Sequence, residues 1–225
     1  MSDFSQRASS YEQEANWILD KKFVRPLVPT PFGGSKLLDV CTGTGVVAEY
    51  AATLGWQATG IDNNTDIMHH LAASVSRVCG DANHLPFPDE SFDLVVCRQG
   101  LQYLCRDRAI GDMLRVSCGE VRLLHGFVRD EDIEGWRTLF RNTNRNNRNF
   151  FSDTILMSSI EIHAPASVEC TYLTTRETFR KTPETAAVVE QFLAKNPAFV
   201  SNNRVTDGVE SFTYTLNWVV HTIRK

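Results

Sequence analysis

The sequence has no long hydrophobic run, no cysteines at metal-binding spacing, no internal repeat and no excess of basic charge. No apolar run approaches the roughly 20 residues that cross a bilayer. Met1-Ser2-Asp3-Phe4-Ser5-Gln6-Arg7 lacks the apolar core of a secretion signal. A cytoplasmic protein with no membrane partner is therefore expected. The six cysteines (41, 79, 97, 105, 118 and 170) are scattered without a Cys-x-x-Cys pair, which argues against a disulfide framework or a zinc site. Cys79 and Cys97 stand in apolar strand-like runs and read as reduced core thiols. With 23 basic residues against 27 acidic ones and a net charge of −4, no global field draws nucleic acid. No low-complexity linker breaks the 225 residues, so one domain over 1–225 is expected.

What is present is an alternation of strand and helix signals. Residues 9–25 carry Tyr11, Ala15, Trp17, Ile18, Phe23 and Val24 on a mostly helical pattern, closed by Pro26, Pro29, Pro31 and Gly33-Gly34. A strand over about 36–40 precedes a helix over about 45–54 that stops at Gly55. A second strand (57–61) ends in Asp62, and Asn63 or Asn64 can cap a helix whose inner face is Ile67, Met68, Leu71 and Ala72. Further strands are read around 77–79, at 92–97 and at 121–125, with a helix over 106–116. The run 92–97 has a continuous apolar core, as a strand buried on both faces should have. This alternation predicts an α/β fold with a parallel, doubly wound sheet. In the last third, 131–144 and 184–195 read as helical, 167–177 and 212–223 as strands.

The segment Leu37-Leu38-Asp39-Val40-Cys41-Thr42-Gly43-Thr44-Gly45-Val46-Val47-Ala48 carries the most information. An apolar strand ends, two glycines flank one residue, and a helix begins, which brings backbone N–H groups close to a ligand. Gly43-x-Gly45-x-x-Ala48 also fits a dinucleotide fingerprint. Its flanks decide between the two. Asp39, Asp62 and Asp81 stand at or just after three successive strand ends, where ligands of such sheets bind. Asp39 would repel a pyrophosphate and hold an ammonium group. The sign of that charge favours a cationic ligand such as S-adenosylmethionine over NAD, and an amine, a ribose diol and an adenine amine would use the three acceptors in turn.

At these positions the chain resembles class I S-adenosylmethionine-dependent methyltransferases. The likeness continues through Gly60-Ile61-Asp62 and through Gly80-Asp81-Ala82-Asn83-His84-Leu85-Pro86-Phe87-Pro88-Asp89-Glu90-Ser91-Phe92-Asp93-Leu94-Val95. That last run is similar to the small-molecule branch that includes ubiquinone and menaquinone biosynthesis enzymes (methyltransferase type 11). It implies a Rossmann-like seven-stranded sheet, mostly parallel, with an antiparallel C-terminal strand. It also implies residue roles. Asp39 and the turn of Cys41, Thr42, Gly43 and Gly45 would hold the methionine end of S-adenosylmethionine. Asp62 would accept the ribose hydroxyls, with Asn63 and Ile67 lining the adenine. Asp81 would take the adenine amine and the Ala82 N–H a ring nitrogen. Arg98 and Gln99 would lie near the methionine end or the substrate, and Tyr11, with Trp17 and Asp20, would belong to an N-terminal lid over 1–25. The core would span 36–128, and an insert at 178–211 would cover the acceptor. The chain departs from the pattern at Leu114–Val121, where a Pro-Gly-Gly turn is usual, and at Gln102, where many relatives carry histidine.

Methyl transfer from a sulfonium is an in-line displacement in which positioning contributes much of the rate. A base is needed only if the acceptor must lose a proton. His125, at the end of the fifth strand, is the candidate base; Gln102 and Tyr103 are the candidate substrate contacts. His69-His70 read as a solvated helix face, not a metal site. Arg141, Arg145 and Arg148 among asparagines could bind an anion, and a basic helix C-terminus explains them equally. The Asn/Asp-Pro-Pro-aromatic motif of base-amino methylation is absent, so the partner expected is a small-molecule acceptor, not nucleic acid. The product of the cofactor would be S-adenosylhomocysteine. The alternatives are an enzyme that binds the same cofactor for a cyclisation, isomerisation or decarboxylation, and a nonenzymatic binding domain.

Overall fold

The computed structural model describes residues 18–142 and 152–225. The chain divides into two compact units: Met1–His125 with Ser158–Thr171 and Val219–Lys225, and Gly126–Met157 with Tyr172–Trp218.

The first unit is built on a twisted sheet. Its strands are β1 (Lys36–Val40), β2 (Gln57–Asp62), β3 (Ser76–Cys79), β4 (Phe92–Arg98) and the first nine residues of β5 (Ser117–Phe127). They run parallel in the order β3-β2-β1-β4-β5. The register sets Val40 beside both Ile61 and Cys97, and Asp62 beside Cys79. Strand order reverses between β1 and β4, so their carboxyl ends diverge and leave a crevice there. β1 and β4 are apolar on both faces because both faces are covered; Leu37, Leu38, Val40, Val95, Val96 and Cys97 are fully buried.

Helix α1 (Val46–Thr53) presses Val47, Ala48 and Ala51 onto the sheet. It starts directly after Gly45, whose φ of 91° is left-handed and where a Cβ would lie 2.8 Å from Leu71 Cγ. Glycine is required there on both counts. After β2, helix α2 (Thr65–Met68) is a single turn capped by the Asn64 side chain. The longer helix read through Leu71 and Ala72 does not form, because the Ala72 N–H turns to the Glu49 carboxylate at 2.7 Å. Helix α3 (Arg106–Val116) buries Ala109, Ile110, Met113 and Leu114.

At the departure noted before β5, α3 ends and the strand begins with no intervening turn. Ser117 is already extended (φ −87°, ψ 134°), and its hydroxyl accepts from the Gly119 N–H at 3.2 Å. β5 is consequently longer than the apolar run 121–125 suggested. Cys79 is a correction to the sequence reading: it is exposed, whereas Cys97 is buried. β3 is the edge strand, so its alternating positions lack a covering neighbour on one side.

Beyond α3 come α4 (Ile133–Asn142), α5 (Asp153–Glu161), β6 (Ser167–Arg180), α6 (Pro183–Lys195), α7 (Pro197–Asn202), β7 (Thr206–Asp207) and β8 (Ser211–Arg224). β8 follows β5 in the sheet order and is followed by β6. Among the described residues this order holds the seven expected strands, and the two-residue β7 pairs antiparallel with β8 off that path. The second unit has its own aromatic core. Trp136, 2% exposed, meets Phe199 at 4.9 Å and Tyr214 at 4.8 Å between ring centres. Its indole N–H donates to Asn203 Oδ1 at 3.2 Å, which satisfies the polar end of a buried tryptophan.

Candidate functional site

A cleft of about 240 Å³ opens at the carboxyl ends of β1, β2, β3 and β4. Each strand end delivers part of its wall, because a parallel sheet brings all those ends to one edge. From the first connection come Asp39, Cys41, Thr42 and Gly43; from the second, Asp62, Asn63 and Ile67. The third gives Asp81 and Ala82, and the fourth Arg98, Gln99 and Tyr103. Thr44, Val47, Asn64, Asn83, Gly100 and Leu104 line it as well. Sequence reading passed over these. Asn83 carried a usable signal, standing two residues after a rim carboxylate, where asparagine readily bonds its own loop.

Asp39 is 2% exposed. Its Oδ2 accepts from the Thr42 hydroxyl at 2.7 Å and the Ala48 N–H at 3.2 Å. Burial lifts its carboxyl from 3.8 to about 6 against the opposing pull of Thr42, the Arg98 charge and the Ala48 N–H. A buried acid in this state gains from any cation brought alongside it, since an opposite charge favours the ionised form.

Asp62 braces the glycine turn, accepting from the Gly43 N–H and the Asn64 N–H, each at 3.0 Å, on different oxygens. Asp81 is exposed, and hydrogen bonds from the Asn83 N–H and side-chain amide hold its carboxyl below the usual range. A Cβ on Gly43 would meet nothing nearer than Ile67 Cδ1 at 3.8 Å, so the space over the turn is open to a ligand. Three acceptors spaced along one rim above an open glycine turn fit a ligand carrying an amine, a diol and a second amine.

The backbone is bent sharply after both β1 and β4, on the two sides of the crevice. Cys41 (φ 58°) and Gln99 (φ 56°) both hold left-handed conformations that non-glycine residues rarely adopt. Such conformations persist only where the surroundings over-determine them, and they cluster at ligand sites. Gly100 makes the bend possible: a Cβ there would lie 2.7 Å from Cys41 Cβ and 2.8 Å from the sulfurs of Cys41 and Cys97. A hydrogen bond with Cys97, then burial and the nearby carboxylates, push the Cys41 thiol well above its ordinary value. It is therefore a poor nucleophile at neutral pH. Arg98 donates to the Ile18 carbonyl at 2.7 Å.

Not every candidate comes to the cleft. Gly45 stands behind the turn against Leu71. Gln102 does not line the space, and neither does His125. His125 is 1% exposed, and its ring stacks on His221 at 5.5 Å with an interplanar angle of 13°. Tyr11, Trp17, Arg145 and Arg148 lie outside the described residues.

Comparison with known proteins agrees with this geometry. Residues 38–123 match the profile of a family described as a methyltransferase domain. A demethylmenaquinone methyltransferase of Corynebacterium urealyticum is 30% identical over 141 residues, which make up 62% of this chain and 60% of that protein. The ubiquinone/menaquinone biosynthesis C-methyltransferase of Rhodopseudomonas palustris is 37% identical over 118 residues, 47% of each chain. The chain thus spans about half the length of the curated relatives it matches. Among solved structures, a phosphoethanolamine N-methyltransferase of Haemonchus contortus in complex with S-adenosylhomocysteine superposes with a TM-score of 0.64 at 16% identity. That likeness covers 98% of this chain and 57% of the other. It shows a shared fold, a mostly parallel α/β sheet.

Proposed function

We propose that this protein, whose residues 38–123 match a methyltransferase domain family, binds S-adenosylmethionine in the cleft and methylates a small-molecule acceptor. The observation that carries the proposal is the arrangement of Asp39, Asp62 and Asp81 along one rim over an open glycine turn. That rim suits a cation and an amine-bearing nucleoside and disfavours a pyrophosphate. In this reading Asp39 accepts from the ammonium of the methionine end, while the N–H groups of the glycine turn and the start of α1 donate to the carboxylate of that end. Asp62 takes the ribose hydroxyls, Asp81 the adenine amine and the Ala82 N–H a ring nitrogen; Asn63 and Ile67 cover the base. The cofactor would supply an activated methyl group on a sulfonium.

The chain's own contribution is orientation. Gln99, Tyr103 and Leu104 form the wall where an acceptor would lie in line with that methyl group, and holding both reactants in place contributes much of the acceleration. His125, packed on His221 away from the cleft lining, is given no proton to move. The partner is a small molecule, and no helix among the described residues is long and apolar enough to cross a membrane.

Titration calorimetry with S-adenosylmethionine and S-adenosylhomocysteine tests the reading, with NADH as the control. Both adenosyl ligands should bind and NADH should not. Absence of binding by folded protein refutes it. Release of S-adenosylhomocysteine with a panel of acceptors, starting from demethylmenaquinone, then tests transfer.

A further inference from the structure

Asp81 sits on an exposed connection after β3, and no strand or helix fixes it. An unrestrained side chain at such a place populates several rotamers, all but one of which are lost when a ligand binds. Asn83 removes that freedom. Its backbone N–H and its side-chain amide both donate to Asp81 Oδ1, at 2.9 and 2.8 Å. Its own Oδ1 accepts from the Cys105 N–H at 2.8 Å, across 22 residues of sequence. Cys105 is the N-cap of α3 and follows Leu104 on the acceptor wall. On the other carboxylate oxygen, His84 Nδ1 stands 3.7 Å from Oδ2, with Arg108 3.3 Å from the far nitrogen of that ring.

We propose that Asn83 is a positioning residue that aims the Asp81 carboxylate at the adenine amine and couples that grip, through Cys105, to the segment carrying Tyr103 and Leu104. This rests on the reading of the cleft as an S-adenosylmethionine site. Both ends of the asparagine amide are used, one toward the cofactor side and one toward the acceptor side. The same side chain therefore ties the walls on which the two reactants would lie.

The two ends can be separated. Asn83→Asp keeps an acceptor for the Cys105 N–H and sets a repelling carboxylate against Asp81; Asn83→Ala removes both side-chain bonds and keeps the backbone N–H to Asp81. The probes are S-adenosylhomocysteine and its analogue with a 6-oxo group in place of the adenine amine, measured by calorimetry on the full chain. Both variants should bind S-adenosylhomocysteine about 10- to 100-fold more weakly, the scale of one hydrogen bond involving a charged group. The wild-type preference for the amine over the oxo ligand should narrow in both. In an Asp81→Ala background neither substitution should weaken binding further.

A residue that merely caps α3 would leave Asn83→Asp equal to wild type, and that result overturns the inference. Additive losses in the Asp81→Ala background overturn it too. If folded wild type binds no S-adenosylhomocysteine, the underlying reading of the cleft falls first and takes this one with it, a result distinct from normal wild-type binding with an unaffected Asn83→Asp.

Discussion

Replacing Asp39 by asparagine should make the protein more stable and less able to bind its cofactor, and both effects follow from one buried carboxylate. Burial lifts Asp39 from 3.8 to about 6. At about 1.4 kcal/mol per tenfold change in a proton equilibrium, the ionised form is disfavoured by about 3 kcal/mol in the folded chain relative to the unfolded one. The sign follows from the direction: a carboxyl raised by folding binds its proton more tightly when folded. Its cost is therefore absent below about pH 4, grows as pH rises toward 6 and is complete above it. Asparagine keeps a carbonyl oxygen for the Thr42 hydroxyl and the Ala48 N–H, both of which now bond to Oδ2.

The variant should thus gain about 1–3 kcal/mol at pH 8, the lower end reflecting an amide N–H₂ that must find a partner. Urea unfolding of both proteins from pH 8 to pH 4.5 measures it. The gap should shrink steadily as pH falls through 6. Calorimetry at pH 8 should show S-adenosylmethionine binding at least tenfold weaker in the variant, because a charge-assisted hydrogen bond to the ammonium is lost. Wild-type affinity should itself decline below pH 6, and the variant's should not. A variant less stable than wild type at pH 8, or a gap that ignores pH, would refute the argument that Asp39 is held at a cost for a cationic ligand.

Three further outcomes follow from particular contacts. Asp62→Ala frees the Gly43 and Asn64 N–H groups as well as the proposed ribose contact, so cofactor affinity should fall tenfold or more while the far-ultraviolet circular dichroism stays unchanged. Gly111→Ala should destabilise by about 1–3 kcal/mol in chemical denaturation although alanine favours helices, because its Cβ would lie 2.7 Å from His163, whose ring is held by the Asp107 carbonyl at 2.8 Å. Arg115→Met should cost about 2 kcal/mol in the same assay. Arg115 donates to Asp112 and to the Leu85 and Phe87 carbonyls, and so ties the connection after Asp81 to α3. A loss under 0.5 kcal/mol there would mean that solvent replaces those bonds.

Sequence periodicity went far where one interaction dominates. The strand, turn and helix start over 37–48 are legible because the apolar run, two glycines and a 3.6-residue repeat each point the same way. Asp39, Asp62 and Asp81 could be placed on one rim from their positions at strand ends alone, since every parallel strand delivers its carboxyl end to the same edge. Cys79 was misread because an apolar neighbourhood does not say whether a strand is central or at an edge. The β5 start was misread because Ser117 turns helix into strand by a local backbone switch that apolar patterning does not encode. His125 was read to the rim from its place at a strand end, yet its ring lies against His221, 96 residues away.

What the sequence alone determined is therefore the doubly wound α/β order and the acidic character of the ligand rim, both carried by residues close together along the chain. Tertiary structure decided which of those residues line the cleft, that Asp39 is buried deeply enough to resist ionisation, and that Asn83 reaches across to Cys105. Burial and hydrogen bonds between distant segments depend on how elements pack in three dimensions, and no local pattern records that.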